Sequence, residues 1–403
     1  CKRPAGQTGG ALETADALLS VRIAARRPEG SSNMEFRIAD GIRRHLKKSY
    51  AIESEDLFAD FDVDCGEGIN TVMASERARE AFAGLNFAMA GPYPHSPALK
   101  DAVVAHAPRS SGQKGPERNN IVLCDGSVAG LYLVNRLFLE PGDRVLGYVP
   151  QFSEYETDVK MRGCLFDAVP LRAEDGYRFD PDAFIAALRP EHKLAYLDNP
   201  NNPTGQVIPL AAIEKILRAA AALNVAVLVD EAYGDYMAPE CSALTLWGGH
   251  ENLLVAKTFS KGFGLAGLRA GYLVLPDELA RAAGNITNPY TVSALSRHVA
   301  ARAVTDAAFL TALRDRTAAI KRELLRPWKR IAVACTEPTV SISLLTHADP
   351  AVDLAREFAK RRVLVISGSD FSGIGKNSVR FRVPAAGDMA GVLDVIADID
   401  ARV

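Results

Sequence analysis

The chain has 403 residues, of which 48% are hydrophobic and 24% are charged, and its formal net charge at pH 7 is -2. This length and apolar content suffice for one large and one small α/β domain, and a charge so close to neutral argues against a nucleic-acid partner. No apolar run approaches membrane-spanning length and no charged-then-apolar leader is present, so we expect no membrane association.

The six cysteines are scattered without CxxC or metal-ligand spacing, at Cys1, Cys65, Cys124, Cys164, Cys241 and Cys335. A disulfide framework or a zinc site would instead show closely spaced pairs. The distribution therefore predicts free, buried thiols, a reducing cytoplasmic location and no bound metal.

Composition and hydrophobic patterning divide the chain into four predicted regions. Residues 1–33 are irregular and begin without methionine, which leaves open a processed end, an artificial extension or the tail of a longer polypeptide. Residues 34–92 form an N-terminal arm and part of a small domain, and they begin with an amphipathic basic helix over 35–50. Residues 93–300, where strands and helices alternate, form a large domain, and residues 301–403 complete the small one.

The first strand of the large domain ends in a glycine turn. The apolar run 120–124 leads through Asp125 to Gly126, Ser127 and Val128, where a helix is predicted to begin. Backbone N–H groups at a helix N-terminus bind phosphate because they lack intrahelical partners and lie at the positive end of the helix dipole. Alone, a turn of this kind is weak evidence for a phosphate site.

Two neighbouring strands end in polar residues. An unbroken apolar run over 225–229 ends in Asp230, the pattern of a central parallel strand, and ligands of open α/β sheets bind at the carboxyl ends of such strands. Asp230 is therefore placed to pair with a protonated ring nitrogen of a bound cofactor. The alternative is that Asp230 caps a helix, as an Asp after a strand often does. The strand over 194–198 runs into a turn over 199–205 that is dense in Asn, Pro and Gly.

The segment Thr258–Arg269 carries a lysine and an arginine in a glycine-rich sequence. A lysine amine becomes a nucleophile toward carbonyls when it is desolvated or lies near other cations. Ser260 and Arg269, on either side of Lys261, can both bind a phosphate, and small residues let the backbone approach a bulky ligand. The ligand indicated is an aldehyde with a phosphate, which describes pyridoxal phosphate. The alternative is a glycine-rich loop with a surface lysine.

A strand with two arginines is predicted near the C-terminus. The segment 378–383 alternates like a half-buried strand, which places Arg380 and Arg382 on the same face. Two arginines that point inward are costly unless they meet an anion. We therefore expect at least one of them to bind a carboxylate.

The chain resembles the aspartate-aminotransferase superfamily, in its class I/II branch. The resemblance depends on the order and spacing of three segments: the turn over 199–205, the strand end Asp-Glu-Ala-Tyr over 230–233, and the Ser-Lys pair at 260–261. The resemblance runs from about Gly66 to the C-terminus. It implies fold type I of the pyridoxal-phosphate enzymes: an α/β fold in which a large domain has a mostly parallel, seven-stranded sheet between helices, with a smaller α+β domain. It also implies a homodimer with active sites at the subunit interface.

The resemblance assigns roles to individual residues. Lys261 aligns with the lysine that carries the cofactor, and Asp230 aligns with the partner of the pyridine nitrogen. Asn202 and Tyr233 align with the groups that hydrogen-bond the cofactor's phenolic oxygen. Phe152 aligns with the aromatic ring that stacks on the pyridine face, although a phenylalanine is more often a core residue.

The phosphate ligands and the substrate ligands follow in the same way. The phosphate ligands implied are Gly126, Ser127, Val128, Ser260 and Arg269, with Tyr93 reaching the phosphate of the partner subunit. Gly66 aligns with a glycine whose backbone lies against the substrate, although a plain turn fits it as well. Arg380 aligns with the arginine that clamps the substrate carboxylate, whereas a solvated position or a structural salt bridge is expected for Arg382.

Within the superfamily, the chain is similar to histidinol-phosphate aminotransferases and their relatives, with one departure. Those enzymes usually carry an arginine for the substrate phosphate about a dozen residues before the carboxylate clamp. Here Ile366 or Ser367 occupies that place, within the stretch 363–371. An α-amino acid is therefore the expected substrate.

The function expected is transfer of an amino group between an α-amino acid and a 2-oxo acid by a ping-pong mechanism. Three alternatives stay open. The first is a histidinol-phosphate aminotransferase, and the second is a decarboxylase of the threonine-phosphate type or a β-lyase, because substrate orientation decides which bond breaks. The third is an effector-sensing transcription regulator, which would need a DNA-binding domain that the N-terminal residues do not clearly encode.

Overall fold

The computed structural model describes residues 37–44 and 61–402. Contacts divide the chain into two units, Cys1–Ala39 and Asp40–Val403. Only residues 37–39 of the first unit are described, and they have no regular secondary structure. All of the described helices and strands belong to the second unit.

The described residues form twelve α-helices and thirteen β-strands. The helices are α1 Asp40–Arg44, α2 Glu76–Ala83, α3 Ala98–His106, α4 Ser127–Phe138, α5 Ser153–Met161, α6 Pro181–Ala187, α7 Leu210–Ala221, α8 Asp277–Ile286, α9 Ala294–Ala303, α10 Ala307–Lys321, α11 Leu354–Ala359 and α12 Met389–Arg402. The strands are β1 Val63–Asp64, β2 Ile121–Cys124, β3 Arg144–Val149, β4 Leu165–Pro170, β5 His192–Asp198, β6 Ala226–Asp230, β7 Leu253–Thr258, β8 Gly271–Val274, β9 Ile331–Val333, β10 Ile342–His347, β11 Val363–Leu364, β12 Ile366–Ser367 and β13 Ser378–Arg382.

Seven strands form one sheet in the order β2-β8-β7-β6-β5-β3-β4. Strands β3 to β7 run parallel to one another, whereas β8 pairs antiparallel with both β2 and β7. The predicted fold class, a mostly parallel seven-stranded sheet with helices, is confirmed.

Burial on both faces explains why the central strands are continuous apolar runs. In β6, Val227 and Val229 belong to one core, together with Ile213 of α7. Leu228 between them belongs to a second core, together with Leu131 of α4. Because successive side chains of the strand are buried in the two cores, a polar side chain can reach a ligand only at the end of the strand.

A second, antiparallel sheet has the order β12-β13-β10-β9, and β1 pairs parallel with β11. The prediction that 378–383 is half-buried is wrong, because all five residues of β13 are buried. Val379 and Phe381 pack in a third core with Phe358. Arg380 and Arg382 lie on the other face of the strand, where distant segments of the chain cover them.

Other predictions concern the N-terminal helix and the cysteines. Of the helix predicted over 35–50, the structure describes α1, and residues 35–36 and 45–50 lie outside the described part. Five cysteines are described and all are free thiols, but Cys241 and Cys335 are only half-buried, contrary to the prediction of buried thiols; Cys1 lies outside the described residues. Within residues 37–44 and 61–402, no helix combines the length and apolar character needed to cross a membrane.

One carboxylate fixes the C-terminal helix to the second sheet. Asp400 of α12 is buried and accepts backbone N–H bonds from Lys329 at 2.9 Å, Arg330 at 2.7 Å and Ile331 at 3.0 Å. Burial alone would raise the pKa of Asp400, but these hydrogen bonds favour the carboxylate and lower the pKa below its ordinary value.

Replacement of Asp400 by Asn should weaken this attachment. Asn offers one acceptor oxygen instead of two, so at least one backbone N–H group loses its acceptor. We expect the free energy of unfolding, measured by urea denaturation, to fall by about 1–3 kcal/mol. Asp394→Asn is the matched control, since Asp394 is an exposed residue of the same helix. Equal losses in both variants would contradict the hydrogen-bonding role.

Candidate active site

The carboxyl ends of β5, β6 and β7 bring three chemically active residues to one edge of the sheet. Asp198 and Asp230 are the last residues of β5 and β6 and pair directly in the parallel register. Lys261 follows β7, which pairs with β6. The edge predicted from the apolar runs therefore carries both carboxylates and the lysine.

Asp230 is a buried carboxylate with two hydrogen bonds. Its Oδ2 accepts a bond from the Tyr196 hydroxyl at 3.0 Å, and its Oδ1 accepts the backbone N–H of Ala232 at 3.0 Å. The second bond resembles the cap that the sequence left open as an alternative. Burial, together with the charge of Asp198, raises the pKa of Asp230 to about 7.

Lys261 and Tyr233 lie side by side. The Lys261 ammonium is 5.6 Å from the centroid of the Tyr233 ring. A Cβ atom on Gly68 would overlap the Tyr233 hydroxyl and lie 3.5 Å from Lys261 Nζ, so only glycine fits there. The Tyr233 hydroxyl is buried and has no hydrogen-bond partner among the described residues. The hydroxyls of Tyr155 and Tyr236 are also buried without a partner among these residues, but only that of Tyr233 lies beside Lys261, where it is available to a ligand atom.

The sequence analysis missed Asn70, which supports the Lys261 loop. Its side-chain Nδ2 donates to the carbonyl of Gly262 at 2.8 Å, and its backbone N–H donates to the carbonyl of Lys261 at 3.2 Å. One residue, through its side chain and its backbone N–H, thus holds the carbonyls of both Lys261 and Gly262. No motif in the sequence marks this residue.

The predicted glycine turn begins α4 as expected. Gly126 occupies the N-cap with φ of 87°, a backbone conformation that favours glycine. The twelve-residue helix that follows leaves the N–H groups of Ser127 and Val128 without intrahelical acceptors. These N–H groups lie where the helix dipole favours an anion.

Arg269 and Ser260 lie against the same turn. Arg269 Nη2 donates to the carbonyl of Asp125 at 3.0 Å, and Nη1 lies 3.5 Å from Ser260 Oγ. A Cβ atom on Gly126 would come within 2.6 Å of Arg269 Nη2. The structure therefore brings together a guanidinium group, a hydroxyl group and a helix N-terminus, the donors that a phosphate requires.

Arg380 links the second sheet to the 199–205 turn. Its side chain is 1% exposed, Nη1 donates to Asn202 Oδ1 at 3.2 Å, and Nη2 donates to the carbonyl of Gly66. Three predicted site residues thus meet in direct contact. Arg382 is instead ion-paired at 3.0 Å with Asp64, which is only half-buried, in a structural salt bridge.

The two predicted aromatic residues differ in their placement. Phe152 directly precedes α5, is half-buried, and donates its backbone N–H to Asp198 Oδ2 at 3.1 Å. Tyr93 is 70% exposed. Its ring stacks on Tyr290 with centroids 4.6 Å apart, and no ring contact or hydrogen bond joins its side chain to the predicted site residues in the described chain.

Asp198 is the other residue at this edge of the sheet to which the sequence analysis gave no role. Its carboxylate accepts bonds from the backbone N–H groups of Phe152 and Asn202 and from the side chains of Tyr148 and Asn201. Burial raises the pKa of Asp198 to about 6, although the four hydrogen bonds favour its charged form. A signal was present, because Asp198 ends an apolar strand as Asp230 does.

The sequence matches the family profile "Aminotransferase class I and II" over residues 63–399, most of the chain. This chain belongs to the class I and II aminotransferases. Its resemblance to that family, predicted from the sequence, is confirmed. The chain is 31% identical to the histidinol-phosphate aminotransferase of Methanococcoides burtonii over 275 aligned residues. This alignment covers 68% of this chain and 73% of the relative.

Solved structures agree with the family assignment. An aminotransferase from Mycobacterium tuberculosis matches with a TM-score of 0.73 and 26% identity, over 84% of this chain and 91% of that one. The histidinol-phosphate aminotransferase of Clostridium acetobutylicum matches with a TM-score of 0.73 over 85% of this chain and all of the other, but at 19% identity it shows the fold alone. The chain is therefore an enzyme that carries out transamination.

Asp230 should make the stability of the ligand-free aminotransferase depend on pH. Its pKa of about 7 in the fold exceeds the value of about 3.9 in an unfolded chain, so its contribution to stability falls as pH rises through that window. Asp230→Asn cannot ionise and keeps the acceptor for Ala232. We expect this variant to gain roughly 2–3 kcal/mol relative to the parent between pH 5 and pH 8, measured by urea denaturation. A difference that does not change with pH would contradict the raised pKa.

Proposed function

We propose that this aminotransferase uses pyridoxal phosphate to move an amino group between an α-amino acid and a 2-oxo acid in a ping-pong reaction. The observation that carries the proposal is that the Lys261 amine lies beside the buried hydroxyl of Tyr233, at the sheet edge that also carries Asp230. Within residues 37–44 and 61–402 this hydroxyl has no hydrogen-bond partner. A primary amine, a phenol and a carboxylate are the groups that this cofactor requires around its ring.

The residues present fit the cofactor at each of its functional groups. The phosphate would be held at one turn by backbone N–H groups, a hydroxyl and a guanidinium. These groups belong to Gly126, Ser127, Val128, Ser260 and Arg269. Asn202 and Tyr233 would hydrogen-bond the phenolic oxygen, and Phe152 would stack on the ring. Asp230 would pair with the ring nitrogen.

When bound, pyridoxal phosphate supplies an aldehyde carbon for amines and a ring that withdraws electrons from the substrate. Arg380 binds the carboxylate of the amino acid and orients its Cα–H bond toward Lys261. The Lys261 amine would take the Cα proton as a general base and return it, as a general acid, to the carbon that the cofactor's aldehyde group supplies. Asp230 keeps a negative charge opposite the ring nitrogen throughout.

An α-amino acid is the substrate class that we propose. Ile366 of β12 pairs directly with Arg380 of β13, and its Cδ1 lies 3.5 Å from the position of a Cβ on Gly66. An apolar side chain therefore lies beside the carboxylate clamp, where histidinol-phosphate enzymes usually have an arginine. The similarity to relatives named histidinol-phosphate aminotransferases supports the alternative substrate, histidinol phosphate.

We further propose a homodimer, in which Tyr93 reaches the cofactor phosphate of the partner subunit. Its exposure, and that of Phe87 at 95%, supports a partner surface on this side of the chain. The free thiols support a reducing, cytoplasmic location. The seven-stranded and four-stranded sheets support the proposed division into a large domain over 93–300 and a small domain over 301–403. The pairing of β1 with β11 supports the proposal that 34–92 is an N-terminal arm and part of the small domain.

Lys261 should be the residue that binds the cofactor covalently. Borohydride reduction of the pyridoxal-phosphate-loaded protein, followed by peptide mapping, should find the pyridoxyl label on Lys261. Lys257 is the internal control, because it lies four residues earlier but is ion-paired with Glu231 at 2.8 Å. A label on Lys257, or on any lysine other than Lys261, would refute the assignment.

The Arg380→Lys variant tests the carboxylate clamp. Lysine keeps the charge but loses the planar fork, so KM for the preferred amino acid should rise about 10- to 100-fold while cofactor affinity is unchanged. Arg382→Lys is the matched control, since Arg382 is equally buried on the same strand but pairs with Asp64. We expect that variant to lose stability without this selective rise in KM.

Histidinol phosphate should be a poorer amino donor than at least one α-amino acid. Its efficient turnover, with no amino acid competing, would overturn the proposed substrate class.

A further inference from the structure

Asp198 lies at the point where three segments of the active site meet. It ends β5, directly beside Asp230 on β6, and is 3% exposed. Nothing in the chemistry proposed above uses it. A buried carboxylate without a role is costly, so its surroundings call for an explanation.

The hydrogen bonds of Asp198 saturate its carboxylate. Oδ2 accepts the backbone N–H groups of Phe152 at 3.1 Å and Asn202 at 2.9 Å. Oδ1 accepts the Tyr148 hydroxyl and the side-chain Nδ2 of Asn201 at 3.1 Å. A carboxylate has about four acceptor sites, and all are occupied by donors. This arrangement suits the ionised form in one fixed orientation.

These donors come from two separate segments, each of which carries one of the proposed cofactor-binding residues, Phe152 or Asn202. Tyr148 and Phe152 belong to β3 and the turn that follows it, whereas Asn201 and Asn202 belong to the turn after β5. Asp198 Oδ2 accepts both the Phe152 and the Asn202 backbone N–H groups, and the Asn201 side chain adds a second link to the Phe152 segment through the carbonyl of Pro150 at 3.1 Å. Displacements of about 1 Å in such a constellation are costly to catalysis.

The charge of Asp198 acts on its neighbour as well. Burial and Asp198 together raise the pKa of Asp230, while Tyr196, the Ala232 N–H and Lys261 oppose the shift. Two buried carboxylates at paired strand positions repel each other unless a cation lies close by. A ring nitrogen that carries a proton would be that cation, held by two negative charges instead of one.

We propose that Asp198 is a positioning residue of the active site, which joins the Phe152 and Asn202 segments and adds a second negative charge behind Asp230. This inference rests on the proposed binding of pyridoxal phosphate. Asp198 touches neither the substrate nor the cofactor in this role, and it acts through Asp230, Phe152 and Asn202.

The test follows the absorption band of protein-bound pyridoxal phosphate as a function of pH. Removal of a buried negative charge disfavours every cation in the pocket, so in Asp198→Asn the pH at which the band titrates should fall by about one unit. The dissociation constant for pyridoxal phosphate should rise about tenfold. Tyr148→Phe removes a donor that lowers the pKa of Asp198, so Asp198 is less ionised in this variant and the band should shift in the same direction by less.

Asp400→Asn serves as the structural control, because Asp400 is also a buried carboxylate that accepts several N–H bonds, but on α12. It should lose stability and leave the band and the cofactor affinity unchanged. The proposal is overturned if Asp198→Asn matches the parent in both measurements, or if Asp400→Asn changes them equally. If Asp198→Asn does not fold, an unshifted band in Tyr148→Phe overturns it. A parent protein that binds no pyridoxal phosphate would instead refute the proposed function itself.

Discussion

Two buried carboxylates at the ends of adjacent parallel strands impose the main constraint on this enzyme. Asp198 and Asp230 occupy paired positions on β5 and β6, where water is excluded and the charge of Asp198 raises the pKa of Asp230. Such a pair is tolerated only when hydrogen bonds and a nearby cation compensate for the lost solvent. Asp198 obtains its compensation from four donors, whereas Asp230 has two and therefore has the greater need of a ligand.

The other residues of the site lie near these two carboxylates. The parallel sheet delivers Lys261 to the same edge, and Asn70 fixes the backbone of its loop. Glycine is required where backbone or ligand must come close: Gly68 leaves room for the Tyr233 hydroxyl, and Gly126 leaves room for the Arg269 guanidinium. The Tyr233 hydroxyl, which has no hydrogen-bond partner in the described part of the chain, and the paired carboxylates are polar groups that an aromatic, phosphorylated ligand could engage.

The sequence predicts the parts of this arrangement that depend on local pattern. Apolar runs that end in Asp identify the parallel strands, because both faces of those strands are buried. The order of motifs points to Asp230 and Lys261. Asp198 receives no role because an Asp at the end of a strand is also typical of a turn. Its contact with Phe152, which is distant in the sequence, is visible only in the folded chain. The burial of β13 is mispredicted for a similar reason, since Arg380 is covered by Gly66, 314 residues away in the chain.

The most direct measurement compares the binding of pyridoxal phosphate with that of an analogue in which carbon replaces the ring nitrogen, at pH 8 and with cofactor-free protein. Because the carboxylates at Asp198 and Asp230 favour a protonated ring nitrogen, pyridoxal phosphate should bind at least about tenfold more tightly than the analogue. In Asp230→Asn this preference should largely disappear. Equal affinity of the parent protein for the two compounds would contradict the role assigned to the carboxylate pair.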